Sequence, residues 1–152
     1  MARELDVVTE TVIRRPLAEV AAYAGDPTNA PEWYANIASV EWQTPPPVAV
    51  GSRMDFVATF LGRWLAYTYE VTELVPGERL TMQTAQGPFP MQTTYTWQPL
   101  DPGTTRMTLR NRGRPAGFSR LLAPFMAVAV RRANRADLAA LRTLLEQRPP
   151  AG

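Results

Sequence analysis

The sequence predicts an α+β fold: a curved antiparallel sheet of seven strands, in the order β-α-α-β6-α, wrapped around a long C-terminal helix. Three observations carry that expectation. From Gly51 to Asn111, short segments of alternating apolar and polar residues are separated by glycine and proline turns. Before them come two short stretches bounded by prolines. Between Phe118 and Glu146 there is no glycine, and leucine, alanine and arginine dominate. A meander of that length presents one broad apolar face, and the terminal helix is the element long enough to lie across it.

Glu4 to Ile13 mixes valine, threonine and isoleucine with charges, as a strand with one wet face does, although Val7-Val8 and Val12-Ile13 blur which face is inside. Pro16 then opens a short helix over Leu17–Tyr23, where a missing N–H costs nothing. Asp26-Pro27 and Pro31 bound a second short helix through Glu32-Trp33-Tyr34, and Val40 and Trp42 begin the next strand. Pro45-Pro46-Pro47 is extended loop. Period two then places Met54, Phe56, Ala58 and Phe60 on one face, Gly62 turns the chain, and Leu65, Tyr67, Tyr69 and Val71 repeat the pattern. Turns at Pro76-Gly77, Gly87-Pro88 and Asp101-Pro102-Gly103 separate Leu80, Met82 and Thr84 from Met91, Thr93, Tyr95 and Trp97, and those from Met107, Leu109 and Asn111. In the final helix Met126, Val130, Ala133, Leu141 and Leu144 share a stripe, with Arg131, Arg135 and Arg142 opposite; Pro124 should kink the helix or split off a first turn ending near Leu122.

At 152 residues the chain suits one domain, residues 1–148, with 149–152 a disordered tail. A domain of this size buries roughly 70% of its unfolded surface and needs no staples. Cysteine and histidine are absent, which excludes disulfides, thiolate nucleophiles, Ser-His-Asp chemistry and Cys/His metal sites. The sequence calls for no cofactor and no metal. Its charged N-terminus and lack of a long apolar run point to the cytoplasm. All 16 basic residues are arginine. They are unevenly placed: residues 1–102 hold 6 Arg against 12 acidic residues, whereas residues 103–152 hold 10 against 2. The basic C-terminal segment either complements the acidic body or makes weak contact with an anionic surface. No nucleic-acid-binding motif is present.

Several segments in sequence bear a family likeness: Ile13 followed by Pro16 and Glu19-Val20, Asp26-Pro27 leading to Pro31-Glu32-Trp33, Gly51-Ser52-Arg53, Val71 through Leu80, Gly103 through Leu109, and Leu138 through Glu146. In their order and spacing the chain resembles the polyketide cyclase/dehydrase-like branch of the START and birch-pollen-allergen superfamily, often called SRPBCC, whose fold is the helix-grip. The resemblance implies a cavity between sheet and helix that takes lipids, polyketides or other apolar small molecules. It implies no single reaction, and no catalytic residue of the family carries over.

If the strand parities hold, Phe56, Phe60, Tyr67, Tyr69, Met82, Met91, Tyr95, Trp97 and Met107 line the inner face, with Met126, Val130, Asn134 and Asp137 facing them from the helix. Methionine thioethers and tyrosine rings with polar tips suit an adaptable apolar ligand; the alternative is a core filled by the same side chains. Asn134 and Asp137 lie about 60° apart within or beside the apolar sector, and Asp137 has no arginine three or four positions away. A carboxylate facing an apolar space must be paired, hydrated or protonated. It is a ligand anchor or a base with a raised pKa, or else it sits at the edge and meets a sheet arginine or water. Arg110 and Arg112 share a face of the last strand, solvated or near a cavity mouth. Trp33 and Trp42 are candidate gates of the pocket, although the resemblance implies that Trp33 is a packing plug; Glu70 and Glu73, three apart on a strand, read as facing opposite ways.

Binding of a small hydrophobic, lipid-like or polyketide-like molecule, to carry, sense or sequester it, is therefore the leading expectation. A cyclase or dehydratase using Tyr67, Tyr95 or Asp137 is the alternative, and an interaction module with a basic helix the third. The sequence leaves catalysis open and assigns no oligomeric state.

Overall fold

The computed structural model describes residues 5–60, 62–87, 90–114 and 123–149. The first strand, β1 (Leu5–Ile13), leads into α1 (Leu17–Ala24), a 3-10 turn (Pro27–Asn29) and the one-turn α2 (Ala30–Trp33). Six strands follow: β2 (Ile37–Trp42), β3 (Arg53–Phe60), β4 (Arg63–Val75), β5 (Arg79–Gln86), β6 (Met91–Asp101) and β7 (Thr104–Gly113). The chain ends in α3 (Ala123–Glu146). The expected break at Leu122 and the tail from Pro150 onward lie outside the described residues.

The seven strands form one antiparallel sheet in the order β1-β7-β6-β5-β4-β3-β2, curled into a half-barrel around α3. This is the helix-grip arrangement. Short turns join β3 to β4, β4 to β5 and β6 to β7, whereas the proline loop separates β2 from β3. Gly62 and Gly77 adopt positive φ (77° and 72°), which a side chain would resist. The first strand crosses to the far edge because α1 and α2 intervene, and there it pairs with β7, Leu5 opposite Gly113 and Ile13 opposite Thr105.

Pairing resolves the faces that the paired valines of β1 left ambiguous. Leu5, Val7, Thr9 and Ile13 point inward and are buried, while Val8 and Val12 are exposed on the convex side. On α3 the buried row is Met126, Asn134, Asp137, Leu138, Leu141 and Leu145, with Leu144 at its margin. Leu138 and Leu145 are thus nearer the centre of the dry side than Leu144.

A bulge in β4 between Val71 and Glu73 alters one sequence expectation. The extra residue sets Glu73 opposite Thr81, on the same convex face as Glu70, which lies opposite Gln83. Each carboxylate is taken by an arginine: Glu70 by Arg53 at 2.8 Å and Glu73 by Arg79 at 3.5 Å. They are surface ion pairs on one face rather than residues on opposite faces.

The C-terminal end of α3 is tied to the exit of β1. The Arg15 guanidinium donates to the carbonyls of Leu145 (2.9 Å), Glu146 (3.0 Å) and Arg148, and the Arg14 N–H donates to the Glu146 carboxylate (2.8 Å). These donors satisfy the carbonyls a helix leaves open at its end, and the positive charge suits the dipole there. Helix α3 therefore runs in the same direction as β1, with Met126 against Leu5 and Val7 at one end and Glu146 beside Arg14 at the other. No described helix is long and apolar enough to cross a membrane.

Candidate ligand cavity

Beneath the first half of α3, beside its contact with Leu5 and Val7 of β1, the helix stands off the rest of the sheet. The gap is a cavity of about 150 Å³. Its floor is Phe56 and Ala58 of β3, Leu65, Tyr67 and Tyr69 of β4, Met82 of β5, Met91, Thr93 and Tyr95 of β6 and Asn111 of β7; its roof is Met126, Val130, Ala133, Asn134 and Asp137. Tyr34 and Asn36, from the link between α2 and β2, and Ile37, the first residue of β2, close one side.

Strand pairing explains the aromatic floor. Phe56 lies directly opposite Tyr67, and the two rings stack with centroids 5.4 Å apart and planes 3° from parallel. Tyr69, two residues along on the same face, meets Tyr67 edge-on at 5.0 Å. The Tyr69 hydroxyl lies 2.8 Å from Thr93 Oγ1, which in turn donates to Asn111 Oδ1 at 2.7 Å. Since the threonine proton is committed to Asn111, Tyr69 is the donor in the first of these bonds.

The polar corner sits under α3. Asp137 Oδ1 accepts the backbone N–H of Ala35 at 3.0 Å. Burial raises the Asp137 carboxyl to about 6, and the Ala35 N–H opposes that rise without cancelling it. One turn earlier, Asn134 Nδ2 is buried with no hydrogen-bond partner among the described residues. Nearby, the Tyr34 and Tyr95 hydroxyls lie 2.6 Å apart. One proton bridges the two phenols, so the other phenol has a proton to offer. Burial pushes the Tyr34, Tyr67 and Tyr95 phenols well up and Tyr69 to about 12, so all four stay protonated near neutral pH. An apolar chamber with a carboxyl, an amide donor and a phenol pair at one corner suits an apolar body carrying a group that both donates and accepts.

Of the residues singled out in the sequence, Phe56, Tyr67, Tyr69, Met82, Met91, Tyr95, Met126, Val130, Asn134 and Asp137 meet around this cavity. Trp97 and Met107 share the concave face but lie outside its walls. They sit toward the Ile13 end, where Trp97 faces Gly25: a Cβ built on Gly25 would come within 3.3 Å of Trp97 Cη2. The Phe60 side chain lies outside the described residues. Trp33 is buried against Tyr34 and Tyr95 as a plug, with centroids at 4.1 and 5.9 Å. Trp42 donates to Thr28 Oγ1 at 3.0 Å, away from the cavity. It lines a wider, open recess with Leu17, Pro46, Pro47, Leu74 and Trp97; the one acidic side chain there, Asp26, already accepts the Thr28 N–H.

The polyketide cyclase/dehydrase and lipid transport family matches residues 4–146. The chain belongs to that family. No curated protein sequence matches it. Among solved structures, this polyketide cyclase/dehydrase and lipid transport family chain is similar to a protein of Thermus thermophilus (20% identity, TM-score 0.80, covering 94% of this chain and 99% of that one). It is also similar to the Zhui aromatase/cyclase of a Streptomyces species (18%, 0.80, 96% of each chain). A third is a START superfamily protein of Mycobacterium smegmatis (14%, 0.79, 93% and 97%). At these identities the likeness is one of fold.

Sequence reasoning passed over Tyr34, Thr93 and Asn111. Thr93 and Asn111 share strand parity with Tyr95 and Leu109, so their inward direction was readable, and small polar residues on an apolar face were the signal. Tyr34 follows a single helical turn, which has no period from which to infer a direction.

Proposed function

We propose that the protein binds a small hydrophobic molecule, lipid-like or polyketide-like, in the cavity under α3, to carry, sense or sequester it. The observation that carries this reading is a gap with apolar walls whose buried polar atoms are left unmatched, above all Asn134 Nδ2 beside the Asp137 carboxyl. An unpaired buried donor costs about 1–3 kcal/mol. Trp33 Nε1 and Trp97 Nε1 are also unpaired among the described residues, and what sets Asn134 apart is that its unpaired amide borders the gap. The family's description, polyketide cyclase/dehydrase and lipid transport, supports the same class of ligand. A cavity of about 150 Å³ accepts a body the size of one ring. Half-buried Tyr67 and Met91 are the walls a longer ligand would pass.

The second reading is a cyclase or dehydratase, favoured by one observation: a carboxyl raised to about 6 beside a phenol pair. There the Asp137 carboxylate would take a proton from a carbon next to a carbonyl, while a tyrosine hydroxyl donates to the developing enolate oxygen. The aromatase/cyclase title of the Streptomyces relative supports this alternative.

Calorimetric titration with 4-ethylphenol, an apolar ring with one hydroxyl, tests the binding reading. It should bind roughly tenfold more tightly than ethylbenzene, which leaves the polar corner unmatched. Ala133→Phe, which fills the gap from the roof, should abolish binding of both. Equal affinity for the filled variant would place the ligand elsewhere and sink the proposal.

A further inference from the structure

At 100° per residue, Phe125, Val128, Arg131, Arg132 and Arg135 fall within one sector of α3, about 120° wide. That sector lies opposite Met126, Val130, Asn134 and Leu141, so it faces solvent. Phe125 is 73% exposed and Val128 66% exposed, on a helix whose other large apolar side chains are turned inward. All three arginines are exposed, and none has an ion-pair partner among the described residues, whereas Arg142 on the same face is held by Glu146 at 3.4 Å. No acidic residue lies on α3 before Asp137, and Asp137 points into the cavity.

We propose that this face docks on an anionic lipid bilayer, with Phe125 and Val128 entering the boundary between headgroups and acyl chains and Arg131, Arg132 and Arg135 engaging lipid phosphates. Large apolar side chains beside a cationic band on one exposed face suit the boundary of an anionic bilayer, where buried apolar area and charge attraction add. Arginine suits the cationic band because its stem can lie along apolar surface while its planar fork pairs with phosphate oxygens. An acidic soluble protein would match the arginines but gives no reason for Phe125 and Val128 to stand in water. The same two turns carry Met126 and Val130 on their inner side, so docking would hold the cavity roof against the membrane. The inference stands whether or not the cavity takes a lipid.

Sedimentation of the full chain with vesicles tests it, using phosphatidylcholine alone and phosphatidylcholine mixed with phosphatidylglycerol, at low and high salt. The expected result is binding to the mixed vesicles that weakens with salt. The variant carrying Arg131→Gln, Arg132→Gln and Arg135→Gln should bind on the order of a hundredfold more weakly, given the attraction of each basic side chain to an anionic surface. Phe125→Ser with Val128→Ser should weaken binding roughly tenfold or more. All five side chains are exposed and none lines the cavity, so unchanged thermal unfolding of both variants checks that the fold is intact. No binding to mixed vesicles, equal binding to neutral ones, or indifference to either variant would overturn the proposal. So would capture by soluble polyglutamate that needs the arginines but not Phe125 and Val128, which would reassign the face to an acidic protein.

Discussion

The two ends of the space beneath α3 are built from the same kinds of residue and come out differently. Toward the Glu146 end, Ile13, Val20, Trp97, Met107, Leu138, Leu141 and Leu145 interlock in one buried cluster. Helix α1 covers that end, and Arg15 clamps the end of α3 onto it. Toward the Met126 end no second helix among the described residues covers the sheet, and the helix and floor stand apart around the cavity. Concave parity is common to both halves. What separates them is whether a third element fills the wedge between sheet and helix, and only the open half carries a polar corner around a gap.

The largest effect should come from comparing one large-to-small change in each half. Leu141 is fully buried in the packed half, so Leu141→Ala should cost about 3 kcal/mol, the lost transfer energy plus the void it leaves. Val130 is half-buried and already faces a gap, so Val130→Ala should cost only about 1 kcal/mol. Urea unfolding of both variants gives the comparison directly. Equal losses would mean the two halves are packed alike and that the cavity is no soft spot in the fold.

How much of this was legible in the sequence follows from the same contrast. Strand order and the covering helix could be read because period two, proline and glycine turns and the glycine-free final stretch are local signals. Parity also identified the concave face, which is why Phe56, Tyr69, Met82 and Tyr95 were found. Depth along a strand has no local signal. Trp97 and Met107 alternate in phase with Tyr95 and Leu109, yet α1 makes their end part of the packed half. The bulge that turns Glu73 to the side of Glu70 is equally invisible, since one extra residue leaves composition and spacing unchanged. Asp137 was readable as a charge on an apolar stripe, but its partner, the Ala35 N–H, comes from a turn that periodicity cannot orient.

Asp137 gives the second, smaller effect and sharpens the contrast, because it stands one turn before Leu141 and on the open side. Its folded-state pKa, about 6, lies above the ordinary 3.8. The contribution of this carboxyl is therefore most favourable where it is protonated in both states, is lost as pH rises from 3.8 through about 6, and stays at the lower level beyond. Asp137→Asn keeps an oxygen for the Ala35 N–H and removes the charge. Near neutral pH and above, it should stabilise the protein by about 2 kcal/mol, and near pH 4 it should change little. Unfolding curves of both proteins across that range check the sign. A variant less stable than wild type at high pH would show that the carboxylate has a favourable partner and that the corner is not starved of hydrogen bonds.

The smallest effect is expected on the convex face, where neither filling nor hollowness applies. Arg110 grips Asp6 with two hydrogen bonds, 2.9 and 2.6 Å, joining β7 to β1 near the cavity end. The hydrogen bond from Arg110 is the main reason the Asp6 carboxyl sits below its ordinary value, so the pair contributes above 3.8 and fades as pH falls through the lowered folded value. Both side chains are about half exposed, where water screens the attraction and holding two flexible groups costs entropy. A double-mutant cycle of Arg110→Gln and Asp6→Asn should give a coupling below about 1 kcal/mol at neutral pH, smaller still in high salt. A larger coupling that survives salt would mean the β1–β7 seam is held by charge as well as by the inward row of Leu5, Val7 and Leu109. The open half would then owe its stability to the outer face of the sheet, and packing on the inner face alone would no longer account for the difference between the two ends.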